Sequence, residues 1–232
     1  MFTFKQFTIH QDRCAMKVGT DGVLLGAWAH VTHCHHILDI GTGTGLVALM
    51  AAQRSQAHIV AIDLDAGAVS QATFNAAASP WASRIQVAAC DARYMDTPST
   101  LFDAILCNPP YFENSLKSHD AARTMARHTD TLTFDELARS ASRLLAPHGE
   151  LSVVIPYDRA TDMIVSAASN GLFASRRTIV YPVEQGKPKR ILMAFTREGT
   201  AHTPENLYIQ DIHRNYTPEY IDLVKPFYLK LG

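Results

Sequence analysis

The chain has 232 residues, 47% of them hydrophobic and 19% charged, with a formal net charge of -1. That length allows one well-buried domain over 1–232, and near-neutrality excludes a protein that works as a polycation, so any grip on nucleic acid must come from a local patch. Cys14, Cys34, Cys90 and Cys107 form no C-x-x-C pair, the N-terminus shows no signal peptide and no apolar run reaches membrane length, so a reduced, cytoplasmic monomer with no membrane partner is expected.

In chain order, residues 2–9 alternate apolar and polar and predict a strand, and 22–29 predict a short helix, together an extension over 1–35. The core, 36–200, alternates short apolar runs with helical stretches. Strands are predicted at 37–40, 59–63, 85–89, 102–107 and 151–155, and helices at 46–54, 66–78, 134–145 and 158–170. Thr133 with Glu136 has capping-box spacing, and Gly171 is placed as a C-cap. Two last strands, 178–183 and 190–196, flank a short polar turn that suits a hairpin, so the last strand should run antiparallel. The reading is an α/β, Rossmann-like fold with a mostly parallel seven-stranded sheet, one antiparallel strand and helices on both faces. The tail, 201–232, is polar until a short helix at 217–224. Its stretch Glu205-Asn206-Leu207-Tyr208-Ile209-Gln210 looks like a protease-tag sequence but lies inside the chain.

Residues 39–45, Asp-Ile-Gly-Thr-Gly-Thr-Gly, follow a strand and precede a helix. Glycines let the backbone turn sharply and approach a ligand closely. Asp63 ends the second strand, where a carboxylate accepts from ribose hydroxyls, and Asp91 follows the third, within reach of an adenine amino group. The cofactor-binding candidates are therefore Asp39, Gly41, Thr42, Gly43, Gly45, Asp63 with its neighbour Leu64, Asp91 with its neighbour Ala92, and Asn108. Singly, each carboxylate reads as a helix cap or a surface charge; in this order at strand ends they read as a site. A nicotinamide cofactor would account for the loop and Asp63 but gives residues 108–111 no role.

Those residues, Asn108-Pro109-Pro110-Tyr111, end the fourth strand and are the catalytic candidates. Two prolines fix φ and remove two donors, leaving a rigid backbone carbonyl as acceptor. The Asn108 side-chain carbonyl is a second. Two acceptors on the N–H groups of a planar amide or exocyclic amine expose its lone pair, and Tyr111, with Phe112 beside it, can stack on the planar group. This points to methyl transfer from S-adenosylmethionine, giving S-adenosylhomocysteine, with no metal. His33, His35 and His36 form a small tract that reads as a surface turn.

With these motifs, the chain resembles the bacterial tRNA1(Val) adenine-37 N6-methyltransferase family. The resemblance runs through residues 16–22, 39–45, 108–111, Ala126-Arg127-His128 and the Tyr216-Thr217-Pro218-Glu219-Tyr220 segment. It implies S-adenosylmethionine as donor and N6 of an anticodon-loop adenine as acceptor. It also implies that Lys17 and Thr20 lie near the methionine part of the cofactor. Asp21 reads on its own as a helix N-cap.

With tRNA as partner, the candidate contacts are Lys117, Arg123, Arg127 and His128 in the segment after Tyr111, where His119 also lies, and Lys187, Lys189 and Arg190 at the predicted hairpin. The competing functions are glutamine N5-methylation of a translation factor, methylation of a ribosomal RNA base amine, and a non-catalytic RNA-binding module. About thirty residues precede the cofactor strand, too few for the helical domain that usually accompanies the glutamine activity.

Overall fold

The structure, a computed structural model, describes residues 1–14, 16–109, 132–200 and 202–230. Ten strands occur among them: β1 (Phe2–Thr3), β2 (Thr8–Ile9), β3 (His36–Ile40), β4 (His58–Asp63), β5 (Ile85–Ala89), β6 (Phe102–Cys107), β7 (Leu145–Pro156), β8 (Phe173–Val183), β9 (Arg190–Thr196) and β10 (Glu205–Gln210). The helices are α1 (Thr20–Trp28), α2 (Leu46–Arg54), α3 (Ala66–Ala77), α4 (Phe134–Leu144), α5 (Ala160–Ser169) and α6 (Pro218–Val224).

Eight strands form one sheet in the order β10-β8-β9-β7-β6-β3-β4-β5. All run in one direction except β9, which is antiparallel to β7 and to β8. The central strands are apolar on both faces because helices cover both. Ile37, Leu106 and Val154 point to one core with α1 and α2, while Leu38, Ile105 and Val153 point to a second core with Leu137 and Ala141 of α4 and Met163 of α5. The capping box stands as expected: Glu136 N–H donates to Thr133 Oγ1 at 3.2 Å, and Thr133 N–H to Glu136 Oε2 at 2.8 Å. Gly171 closes α5 at φ +75°, and no helix is long and apolar enough to cross a membrane among the described residues.

The structure departs from expectation at several places, among them β8, which begins at Phe173, five residues before the predicted 178. The sheet has an eighth strand: β10, the segment that looks like a tag, pairs parallel with β8. Leu207 and Ile209 turn inward and Tyr208 lies 4.9 Å from Tyr181, centroid to centroid. Residues 2–9 form a hairpin, β1 against β2, in place of one strand. The apolar phase shifts there from Phe2 and Phe4 to Phe7 and Ile9, so a continuous strand would put half of them on the wrong face; the turn lets Phe4 stack on Phe7 at 4.7 Å. β7 begins six residues before the predicted 151, continuing the Leu144–Leu145 boundary of α4 directly into the sheet. Finally, Asp21 is not an N-cap. Gly19 holds that position without a side-chain bond, and Asp21 accepts from Arg190 Nε at 2.8 Å.

Candidate active site

The carboxyl ends of β3, β4, β5 and β6 meet along one rim, where open parallel sheets bind ligands. After β3 the chain turns through Gly41 (φ +69°), Gly43 (φ +56°) and Gly45 (φ +82°). Side-chain-bearing residues rarely adopt that left-handed region, so these three glycines set the path of the loop. Among the described residues, a Cβ at Gly41 would meet nothing within 4 Å, and one at Gly43 only Cys14 Sγ at 3.8 Å, so towards them the loop presents open backbone on its outer side. A Cβ at Gly45 would instead lie 3.4 Å from Ala72, where α3 packs close.

Asp39 holds the loop from beneath. It is 1% exposed, and its Oδ2 accepts from Thr42 Oγ1 at 2.6 Å and from Ala48 N–H at 3.2 Å. Burial pushes its pKa up to about 7, against the pull of those two bonds. Asp63 stands at the end of β4. Its Oδ2 accepts from Gly43 N–H at 2.9 Å and its Oδ1 from Asp65 N–H at 3.0 Å. A carboxylate has about four lone-pair sites, so both oxygens can still take a hydroxyl. Leu64 beside it is 55% exposed, an apolar surface next to the carboxylate.

Asp91 follows β5 and is clamped by Arg93. Arg93 Nε donates to both Asp91 oxygens at 3.0 Å, Nη2 donates to Oδ2 at 2.7 Å, and the Arg93 N–H donates to Oδ1 at 2.9 Å. These bonds hold the Asp91 carboxyl below the ordinary carboxylate range. Arg93 also reaches Glu136 in the first turn of α4 at 3.4 Å, and Arg143 of α4 donates to the Ala92 carbonyl at 3.0 Å. Ala92 itself is buried. The segment after β5 is thus locked to α4. Sequence reading missed Arg93; its position two residues after an expected ligand carboxylate was the available signal.

Asn108 directly follows β6, and Pro109 next to it is buried. A Cβ at Gly22 would lie 3.0 Å from Leu46 Cδ2 and 3.9 Å from Asn108 Nδ2. The first turn of α1 therefore meets the Asn108 amide over the start of α2, and a larger residue at 22 would press on both. Thr20 and Lys17, just before, are exposed. Among the catalytic candidates, Pro110 and Tyr111 lie outside the described residues, as do Lys117, Arg123, Arg127 and His128 of the RNA set.

A chain with this rim is matched over residues 18–170 by the methyltransferase small domain family. A tRNA1(Val) (adenine(37)-N6)-methyltransferase from Phocaeicola vulgatus is 52% identical over 230 residues, covering 99% of this chain and 98% of that protein. One of the same description from Tolumonas auensis is 44% identical over 233 residues, covering 100% and 98%. The chain belongs to the tRNA1(Val) (adenine(37)-N6)-methyltransferase family. Solved structures share the fold of this methyltransferase at lower identity. A predicted O-methyltransferase from Agrobacterium tumefaciens superposes with TM-score 0.65 at 20% identity, covering 89% of this chain and 96% of that one. A geranyl diphosphate C-methyltransferase from Streptomyces coelicolor, solved with S-adenosyl-L-homocysteine, has TM-score 0.55 at 14% identity, covering 75% and 74%.

The hairpin between β8 and β9 lies on the same rim as Asn108, because β9 starts where β7 ends: Pro156 pairs with Arg190. Lys187 and Lys189 are exposed there. Arg190 differs from them, since its guanidinium is half-buried and engaged with Asp21. A cavity of about 370 Å³ lined by His30, Glu150, Arg176 and Arg197 lies at the opposite, amino edge of the sheet and takes no part in this rim. Among the described residues no group of three or more His, Cys, Asp or Glu side chains could hold a metal.

Proposed function

We infer that this methyltransferase transfers a methyl group from S-adenosylmethionine to N6 of adenine 37 in tRNA1(Val). The observation that carries it is the 52% identity, over almost the whole of both chains, to an enzyme of that description. The geometry of the rim supports it. The left-handed loop at residues 41–45 leaves backbone open to a ligand, and Asp63 and Asp91 follow at successive strand ends, which fits a nucleoside with a hydroxyl-bearing ribose and an adenine.

In this reading Asp63 accepts from the ribose hydroxyls, Leu64 and Ala92 flank the adenine, and Asp91, kept ionised by Arg93, accepts from the adenine amino group. Asp39 positions the glycine-rich loop through Thr42 and the start of α2. Lys17 and Thr20 lie towards the methionine end. S-adenosylmethionine, when bound, would supply a methyl group already activated by its sulfonium; the carbon–sulfur bond would break as the nitrogen–carbon bond forms, and the methylated nitrogen, then cationic and strongly acidic, would lose one of its two protons to water, so that no general base with a tuned pKa is needed. The Asn108 carbonyl accepts from the N6 amino group, and a backbone carbonyl of the proline pair accepts from its second N–H. Together they draw the lone pair out of conjugation and aim it. Pro109 holds that backbone stiff, and Tyr111 stacks on the extruded base. Lys187 and Lys189 contact backbone phosphates beside it.

The test is transfer of radiolabelled methyl groups to unmodified tRNA, ribosomal subunits and a release factor, followed by nucleoside analysis. N6-methyladenosine in tRNA1(Val), lost when adenine 37 is replaced, is the expected result. Label in ribosomal RNA or in protein, with tRNA unlabelled, overturns the reading.

A further inference from the structure

Gly67, Gln71 and Asn75 recur every four residues along α3, so they share one side of the helix. Gln71 and Asn75 are each 1% exposed, and buried amides need partners. Both find them in the segment before α1. Gln71 Oε1 accepts from the backbone N–H groups of Asp12 at 3.1 Å and Arg13 at 3.0 Å. Asn75 Oδ1 accepts from His10 N–H at 2.9 Å. Its Nδ2 donates to the carbonyls of His10 and Thr44, both at 2.8 Å. Thr44 belongs to the glycine-rich loop, so Asn75 ties the segment and the loop together.

The fit is close along the rest of the segment. A Cβ at Gly67 would stand 2.6 Å from the Arg13 carbonyl oxygen, so only glycine lets the backbone lie there. Arg13 Nη1 donates to Ser70 Oγ at 3.2 Å, and the His10 ring meets Phe74 edge-on at 5.0 Å. Gln11 Oε1 accepts from Val18 N–H at 2.8 Å and folds the far end back. Where the segment crosses the loop, Cys14 faces Gly43.

We propose that Gln71 and Asn75 are positioning residues for cofactor binding, holding residues 10–14 as a strap across the glycine-rich loop so that the strap walls the S-adenosylmethionine site. The proposal rests on the cofactor reading above. Ordering a chain segment costs entropy residue by residue. A strap already ordered in the free enzyme spares the ligand that cost. If a variant strap is docked in only about one molecule in ten, the apparent dissociation constant rises about tenfold.

Binding of S-adenosylhomocysteine and methyl-transfer kinetics on tRNA read the effect. Gln71→Leu removes the acceptor of two N–H groups. Its KM for S-adenosylmethionine is expected to rise about tenfold while kcat at saturating cofactor stays within about twofold. Gln71→Glu, whose carboxylate still accepts from both N–H groups, restores the wild-type KM. Gly67→Ala raises intrinsic helix propensity yet pushes on the Arg13 carbonyl. A raised KM with an undiminished melting temperature therefore separates strap displacement from loss of fold, and supports the proposal even where Gln71→Leu fails to fold. An unchanged KM in Gly67→Ala overturns it, and so does a failure of Gln71→Glu to recover. Asp63→Ala tests the underlying reading. If it leaves S-adenosylhomocysteine affinity unchanged, the cofactor assignment fails and the strap with it. If it weakens binding while Gly67→Ala does not, the strap alone falls.

Discussion

The two halves of the reactive rim are built on opposite plans. Around β3, β4 and β5 every carboxylate is already held: Asp39 by Thr42 and Ala48, Asp63 by Gly43 and Asp65, Asp91 by Arg93. Around β8 and β9 the exposed cations are Lys187 and Lys189, on long side chains in a hairpin turn that also carries the exposed Glu184. The cofactor is one molecule of fixed shape, and donors and acceptors set in advance avoid reorganisation when it arrives. An RNA loop presents a flexible phosphate backbone, and mobile cations meet it without needing a single geometry. Asn108 lies between the two halves, and Arg190 is the exception on the hairpin side, pinned by Asp21.

The largest expected effect comes from the boundary. Asn108→Ala should lower kcat/KM by about 10²–10³, the usual size for one preorganised hydrogen-bonding group at a reacting centre. Affinity for S-adenosylhomocysteine, measured by calorimetry, should change far less. Equal losses would move Asn108 into the cofactor half and blur the division.

A pH series sharpens the preorganised side. With its pKa at about 7 in the fold, against an ordinary value of 3.8, Asp39 prefers to be neutral when folded. Below about pH 4 it is protonated folded and unfolded, and its contribution is fully present. As pH rises towards 7 the unfolded chain ionises first, so stability is lost; above 7 the loss is constant. Asp39→Asn keeps an oxygen for Thr42 and Ala48 and does not titrate. Urea unfolding of the free enzyme should therefore favour the variant over wild type by about 2–4 kcal/mol more at pH 8 than at pH 4. A difference that stays flat across that range would contradict a carboxylate strained by burial.

The smallest effect belongs to the hairpin. Replacing Lys187 and Lys189 by alanine should weaken tRNA binding modestly and flatten the salt dependence by about 0.7 log units per lost phosphate contact. S-adenosylhomocysteine affinity should not move. Unaltered salt dependence would remove these lysines from the RNA surface.

The features that were legible before the structure are those with a local cause. A parallel strand buried on both faces is a contiguous apolar run, so β3, β4 and β6 could be read directly, with Asp39, Asp63 and Asn108 at or next to their ends; β5, at the sheet edge with no residue fully buried, was legible from its short apolar stretch alone. The Thr133–Glu136 box marked the start of α4 for the same reason. What escaped depends on partners distant in sequence. β10 has only Leu207 and Ile209 to commit it, and its neighbour β8 precedes it across a whole strand. Arg93 gains its meaning from Asp91 and Glu136 together, and Gln71 and Asn75 from main-chain groups some sixty residues away. Two amides four apart in an alanine-rich helix were the visible trace of that last contact. The local reading of Asp21 as a cap failed because α1 already starts at Thr20 with Gly19 as its cap, which leaves the Asp21 side chain to Arg190, 169 residues on.

The single reversed strand, β9, has a geometric consequence of its own. With one strand running backwards, the chain makes its β8–β9 turn at the reactive edge; a helical crossover between parallel strands would have carried the link to the far side of the sheet. The turn is a promontory whose length is independent of the ladder beneath it. Closing a longer loop costs only the logarithm of its length, about 0.6 kcal/mol per doubling. Residues could be gained or lost between Val183 and Arg190 while the pairing of Pro156 with Arg190 and of Val180 with Arg190 stayed in register. If the turn meets the tRNA as proposed, the reach of the protein towards its substrate can diverge while the grip on its methyl donor is left untouched.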